Sequence, residues 1–329
     1  MSYRLDRRQF LASGAALAGA TLLGTSTACA PDDVVAPHPT SDPITARVFP
    51  LDGDLPEPAV ISSVGGILTA AITCSTSPAV IGGRRAREAV TYNGTFPGPT
   101  LSVRPGDMID ITFTNRIVFD QVETKPGYGK PPRETNTTNL HYHGMHVSPL
   151  GTADNMLVMV RANGKQRYLF QVPLDHPSGL FWYHAHVHGL VTNHVGRGAA
   201  GMIYVSNAYT DNIKSLGIRR RLMMLQQAYF DDDRSTIISD DGERDNSDLA
   251  LSLINGELMP DILMRPGEPQ VWSMLNGSTS AFYKIRLEGH TFDVIADDGV
   301  PLRTPRVNQE TLLMPSGKRL EVVVHGSST

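Results

Sequence analysis

Cysteine is nearly absent from this 329-residue chain, with only Cys29 and Cys74 present. Two cysteines exclude a disulfide scaffold and a four-cysteine metal site. Long apolar runs are missing too. The most apolar stretch, Ala15 to Leu23, is too short and too rich in alanine and glycine to span a bilayer as a stable helix. Basic charge does not dominate: 29 Lys and Arg stand against 33 Asp and Glu, a net charge of −4. That balance argues against a general nucleic-acid binder. No long helical periodicity interrupts the chain, which argues against a βαβ fold. What remains is ordinary globular composition, 40% hydrophobic and 19% charged. The 30 glycines and 23 prolines exceed a background of about 12% for the two together and favour a turn-rich β protein. A prior of about 150 residues per domain predicts two domains.

Residues 1–30 read as an export signal. Asp6-Arg7-Arg8-Gln9-Phe10-Leu11 resembles the twin-arginine consensus, with Asp6 where Ser or Thr is commoner. Ala28-Cys29-Ala30 fits an A-x-A cleavage site, and acidic Pro31-Asp32-Asp33 follows. The alternatives are a disordered basic tail, or a lipoprotein acylated on Cys29, although Ser26 fits a lipobox poorly. Twin-arginine export carries folded proteins, often loaded with cofactor. The address therefore points to a metal or redox protein in the periplasm or another extracytoplasmic space. Cleavage after Ala30 leaves Cys74 alone, so no intrachain disulfide can form. Residues 31–60, rich in Pro, Asp, Ser and Thr, read as a linker or an irregular lead-in strand.

The body carries β signals. Ile109, Ile111 and Phe113 alternate with Asp110, Thr112 and Thr114, the period of a half-buried strand. Arg104-Pro105-Gly106-Asp107 before it is turn chemistry. The same unit recurs as Arg265-Pro266-Gly267-Glu268, leading to Trp272, Met274 and Asn276. Tyr92-Asn93-Gly94 is likewise echoed by Ile254-Asn255-Gly256. Two copies of so long a unit mean two related domains rather than a solenoid. They are expected over residues 61–207 and 208–329, with the boundary near Asn207.

Two histidine motifs carry the chemistry: His141-Tyr142-His143-Gly144 and Trp182-Tyr183-His184-Ala185-His186-Val187-His188-Gly189. In a strand, residues two apart share a face. An H-x-H pair therefore presents two imidazoles side by side, and two such strands give four convergent nitrogens. Imidazole suits copper, zinc, iron and nickel. Histidines that pack without metal, or a zinc hydrolase site, are the alternatives. Zinc hydrolases usually add an Asp or a further His pair in a recognisable pattern, and the turn motifs around these histidines argue against one. Met145, Met156 and Met159 are expected to pack rather than to ligate.

Tyr92-Asn93-Gly94-Thr95-Phe96-Pro97-Gly98-Pro99-Thr100, followed by Val103-Arg104-Pro105-Gly106-Asp107, resembles the first cupredoxin domain of multicopper oxidases. That family includes laccases, copper-efflux oxidases and ferroxidases. The similarity runs from about residue 85 to the end of the chain. It implies an all-β fold of two Greek-key β-sandwiches. It also implies that His141 is a ligand of a type 2 copper, and that His143, His184 and His186 are ligands of paired type 3 coppers. Such a cluster reduces dioxygen to water with electrons from a reducing substrate. Asp154, in a Gly-x-x-Asp-Asn stretch, matches a carboxylate that assists protonation near the cluster; a solvated loop Asp is the alternative. His176 reads as a turn residue and His188 as structural. His146, His194, His290 and His325 receive no role.

The resemblance also exposes an absence. The family's full cluster takes eight histidines, four of them from a last domain. That domain also carries the His-Cys-His whose cysteine binds the type 1 copper, the electron entry site. No such motif follows His188, and Cys74 is flanked by Thr73 and Ser75. Cys74 reads as a buried or free thiol ahead of the first core strand. The second domain resembles the metal-free middle domain of three-domain oxidases, with Tyr283-Lys284-Ile285 near where the first carries its leading His pair. Arg319 to Val324 matches a strand normally followed by one or two more, so the last sheet is expected to keep an unpaired edge. The chain is thus expected to be the N-terminal portion of an exported multicopper oxidase that oxidises phenols or metal ions. A periplasmic copper-buffering protein and a copper-free scaffold protein are the other readings.

Overall fold

A computed structural model describes residues 3–4, 54–119, 136–231, 237–238 and 249–327. Apart from Tyr3–Arg4, the expected export signal, its cleavage site and Cys29 lie outside the described residues. The fold is all-β, with two short helices among the described residues. β1 (Tyr3–Arg4) is a two-residue strand, and β2 (Val60–Ser62) opens the first sandwich. β3 (Ile67–Ile81), β4 (Arg84–Tyr92), β5 (Gly98–Val103) and β6 (Met108–Arg116) follow. β7 (His141–His143), β8 (Lys165–Gln171), β9 (Gly179–His184), α1 (Val191–Gly196) and β10 (Ala200–Val205) complete it. One sheet has the order β4-β3-β6-β8 and the facing sheet β2-β5-β10-β9-β7.

β6 shows why these strands form. Ile109, Ile111 and Phe113 are fully buried between the sheets, while Thr112 is exposed. They join Leu68, Ile72, Tyr92, Tyr142, Tyr168, Phe181 and Tyr183 in one core. Burying each such side chain contributes about 1.5–3 kcal/mol. Cys74 sits in the middle of β3, opposite Tyr92 and Asn115, rather than ahead of the first strand. It is fully buried, and desolvation pushes its thiol well above the usual range.

α2 (Ala208–Ser215) then leads to β11 (Arg219–Phe230), β12 (Ile237–Ile238), β13 (Leu249–Ile254), β14 (Leu263–Met264) and β15 (Pro269–Asn276). β16 (Tyr283–Ile285), β17 (Phe292–Asp297), β18 (Val300–Gln309), β19 (Leu312–Met314) and β20 (Arg319–His325) end the chain's regular structure. The large sheet runs β12-β11-β15-β20-β17-β18, with β13 beside β11; β16 and β19 form a separate pair. Met223, Trp272, Met274, Tyr283, Phe292 and Val322 pack into its core. The last strand is not an edge: β20 is paired on both sides, by β15 and β17. Among the described residues, one open side of this sheet belongs to β18, whose prolines and charges blunt it.

The repeat seen in sequence has a physical basis. Asn115 is buried at the end of β6 and donates from Nδ2 to the carbonyls of Asn136 and Val160, while its Oδ1 accepts from Ile117 N–H. Asn276, buried at the end of β15, donates to Ala281 and Met314 and accepts from Ser278 N–H. Asp107 and Glu268 likewise accept from the backbone N–H three residues earlier, closing the two equivalent turns.

The stretch expected as a linker is, in its described part, docked. Leu55 is buried in the second core, and Asp54 pairs with Arg219 and fully buried Arg221. An apolar anchor beside a carboxylate placed to neutralise two arginines holds this segment before β2 begins. Leu180, Trp182 and Met202 from the first sandwich pack on Leu222, Met224 and Leu275 from the second. The sheet that carries the histidines is therefore covered by the second sandwich along part of its outer face.

Candidate metal centre

β7 and β9 pair antiparallel, with His141 opposite His184 and His143 opposite Trp182. Alternation sends Tyr142 and Tyr183 inward, where both are fully buried. Tyr142 packs edge-on to Phe170, and Tyr183 Oη donates to the Pro99 carbonyl at 2.6 Å. Gly201 makes room for that tyrosine, since a Cβ there would meet its ring at 2.4 Å. The histidines consequently share the outer face. Ligand atoms of His141, His143 and His184 all lie within 4.8 Å of one another. His186 lies beyond the end of β9 and outside that trio, but its ring centroid is 4.8 Å from that of His141 and 5.4 Å from that of His184.

Neighbouring groups fix which nitrogen each ring offers. His141 Nδ1 faces Asp154 Oδ1 at 2.9 Å, which directs its Nε2 toward the cluster. His184 Nδ1 donates to the Ala185 carbonyl at 2.9 Å, leaving Nε2 as a lone pair. That Nε2 lies 3.3 Å from His143 Nδ1. Two nitrogens so spaced, each about 2.0–2.1 Å from a common ion, subtend an angle near 105–110°. The donor set thus fits an imidazole-bound metal.

Electrostatics agree. Burial holds the His143 imidazole down to about 4, with the Arg319, His141 and His186 charges adding to the effect. Burial likewise pushes His184 well below the ordinary histidine range and lowers His186. All three are neutral near pH 7, the state in which imidazole binds metal.

Asp154 is not a solvated loop residue. It is nearly buried, and the oxygen that meets His141 also accepts the Tyr142 N–H at 2.8 Å. Its contacts orient His141 and the strand beneath. His176 is buried and braces a turn, accepting from His146 N–H and facing the Pro177 carbonyl. His188 is exposed and outside the ligand trio. Met145 packs in the core, whereas Met156 and Met159 are 43% and 67% exposed and do not pack as expected.

Three contributors were not singled out in sequence. Trp182 stacks on His184 at 4.1 Å between centroids and lies 4.9 Å from His143, forming a platform under both rings. Its position two residues before His184 was the available signal. Asn139 accepts the His186 N–H at 2.7 Å and donates to the Met156 and Val158 carbonyls. It stands two residues before His141, so the same period could have found it. Arg319 comes from the second sandwich, 135 positions beyond His184, and no local pattern announces it.

Two family models, both described as multicopper oxidase, match this chain, one over residues 73–124 and 133–209, the other over 180–329. The chain belongs to the multicopper oxidase family. Membership implies copper, and the histidine trio is a donor set that fits it. The multicopper oxidase mco of Staphylococcus haemolyticus is 27% identical over 235 residues, covering 71% of this chain and 47% of that protein. The multicopper oxidase MmcO of Mycobacterium tuberculosis is 25% identical over 351 residues, covering 98% of this chain and 61% of its own length. Among solved structures, a multi-copper oxidase from Pediococcus acidilactici superposes with a TM-score of 0.67 at 19% identity, over 84% of this chain and 56% of that one. That likeness supports the cupredoxin-like sandwich fold. The chain spans about half the length of the staphylococcal relative. Among the described residues, no helix of this multicopper oxidase chain is long and apolar enough to cross a membrane.

Proposed function

We propose that this chain supplies the first half of the copper cluster of an exported, laccase-like multicopper oxidase. The two sandwiches are read as cupredoxin domains over residues 61–207 and 208–329. The observation that carries the proposal is the convergence of the His141, His143 and His184 nitrogens, with His186 beside them. In this reading His141 serves a type 2 copper, and His143, His184 and His186 serve type 3 coppers. Copper held there supplies one-electron chemistry toward dioxygen, with a phenol or a metal ion as the reducing substrate.

The chain's own residues do the holding. Asp154 orients His141, the Ala185 carbonyl orients His184, and Asn139 fixes the backbone of His186. Asp154, nearly buried and one ring away from the cluster, is the carboxylate this reading assigns to assisting protonation there. These 329 residues contain no His-Cys-His, so the electron entry site and the other four histidines must come from further polypeptide. Export by the twin-arginine route rests on Asp6 to Leu11 and on the Ala28-Cys29-Ala30 site.

The test is purified chain loaded with Cu(II). The proposal expects copper bound by histidine nitrogen, no intense blue absorption, and no oxidation of a phenolic laccase substrate. Turnover by this chain alone would contradict it. Copper binding without turnover in the longest natural product of the gene would favour a copper-buffering role instead.

A further inference from the structure

Among the described residues, the second sandwich holds no histidine cluster, yet it reaches the first one. Arg319, at the start of β20, is only 6% exposed. Its Nη2 donates to the Asp298 carbonyl at 2.9 Å, its Nη1 to the Gly317 carbonyl at 3.1 Å, and its Nε to the Leu180 carbonyl of β9 at 3.3 Å. The guanidinium lies over the Phe181 ring, 5.6 Å from its centroid. It also presses on Gly144, the residue after His143, where an added Cβ would fall 2.4 Å from Nη2. The adjoining turn is equally close: a Cβ on Gly317 would meet His143 Cε1 at 3.2 Å. One glycine turn thus lies against the His143 ring, and one buried cation lies against the residue that follows it.

The counter-charge is incomplete. Asp298 Oδ1 is 3.5 Å from Arg319 Nη1 and also accepts the Arg319 backbone N–H. Its other oxygen is taken by Lys318, and the side chain is 47% exposed. Water screens the carboxylate better than it screens the buried guanidinium. A net positive field therefore remains beside His143.

We propose that Arg319 is a tuning residue of the metal centre, acting from the second domain to favour Cu(I) over Cu(II) on the His143–His184 pair. The inference rests on the reading that these histidines hold copper. A cation opposes Cu(II) more than Cu(I) because the ions differ by one charge. For a charge partly shielded by Asp298, at an effective dielectric near 20, the differential is about tenfold. That corresponds to about 59 mV for a one-electron couple. Arg319 also fixes Gly144 in place, but that positional role alone does not distinguish the two oxidation states.

The experiment measures Cu(I) and Cu(II) affinities of the full chain by competition with chelators specific for each, on wild type, Arg319→Gln, Arg319→Lys and Asp298→Asn. Circular dichroism and denaturation report folding. Arg319→Gln should lower the Cu(I)-to-Cu(II) affinity ratio about tenfold, and Arg319→Lys should stay within about threefold of wild type. Asp298→Asn should raise the ratio about two- to threefold. Asn tolerates the positive φ of 48° at that position and keeps the acceptor for the Arg319 N–H. If Arg319→Gln does not fold, the opposite shift in Asp298→Asn still decides. Unchanged ratios in folded variants that bind copper would overturn the tuning role and leave the copper site standing. Failure of wild type to bind either ion through its histidines would overturn both.

Discussion

Lowering the pH should unfold the metal-free chain earlier than its carboxylates alone would require, and His143 should account for a measurable part. Its imidazole is held at about 4 in the fold, by burial first and the Arg319 charge second, against an ordinary 6.5. The unfolded chain therefore binds a proton between these values that the folded chain refuses. Stability is full above about pH 6.5 and is lost as pH falls through 4. At about 1.4 kcal/mol per tenfold, the His143 contribution is roughly 2–3 kcal/mol after screening at its partly exposed edge. Urea unfolding of copper-free protein between pH 7.5 and 4 measures it. His143→Gln carries no titrating ring and should flatten the profile by that amount, so that the variant gains on wild type at pH 4.5. Parallel profiles for the two proteins would refute the claim that this site is built to keep its rings neutral.

Other outcomes follow from single contacts. Asp154→Ala frees the His141 ring and leaves the buried Tyr142 N–H without its acceptor. It should cost about 1–3 kcal/mol by denaturation and weaken copper binding roughly 10–100-fold by chelator competition. Asn115→Ala and Asn276→Ala remove equivalent buried hydrogen-bond sets. Each should destabilise by several kcal/mol, and a negligible loss at either site would deny the structural repeat. Trp182 stacks on His184 whereas Trp272 is buried in the second core. Added Cu(II) should therefore quench fluorescence in Trp272→Phe and leave it largely unchanged in Trp182→Phe.

Much of this was legible in the sequence because it is written with short periods. Alternation in Met108 to Asn115 marked a strand, and two H-x-H pairs two residues apart marked one face. The repeated Arg-Pro-Gly turns and the matching asparagines marked the duplication, because each copy needs the same buried side chain to tie off the same strand end. What escaped was set by tertiary packing. Nothing near Asp54 and Leu55 says that they fill a core and neutralise arginines more than 160 positions later. Nothing near Arg319 says that it crosses to His143. Met156 and Met159 were assigned to packing on residue type, and their loop leaves them exposed. The last sheet was expected to keep an unpaired edge, and nothing local says that this edge falls on β18 while β20 is paired by β15 and β17.

The central claim is that four histidines of one domain form a copper half-site. Copper titration of the purified full chain against His141→Ala/His184→Ala tests it most directly, followed by dialysis and by the nitrogen hyperfine pattern of bound Cu(II) in electron paramagnetic resonance. Wild type should retain copper with imidazole nitrogen couplings, and the double variant should lose both the retained metal and those couplings while remaining folded. Equal retention with the same spectrum in the two proteins would contradict the account.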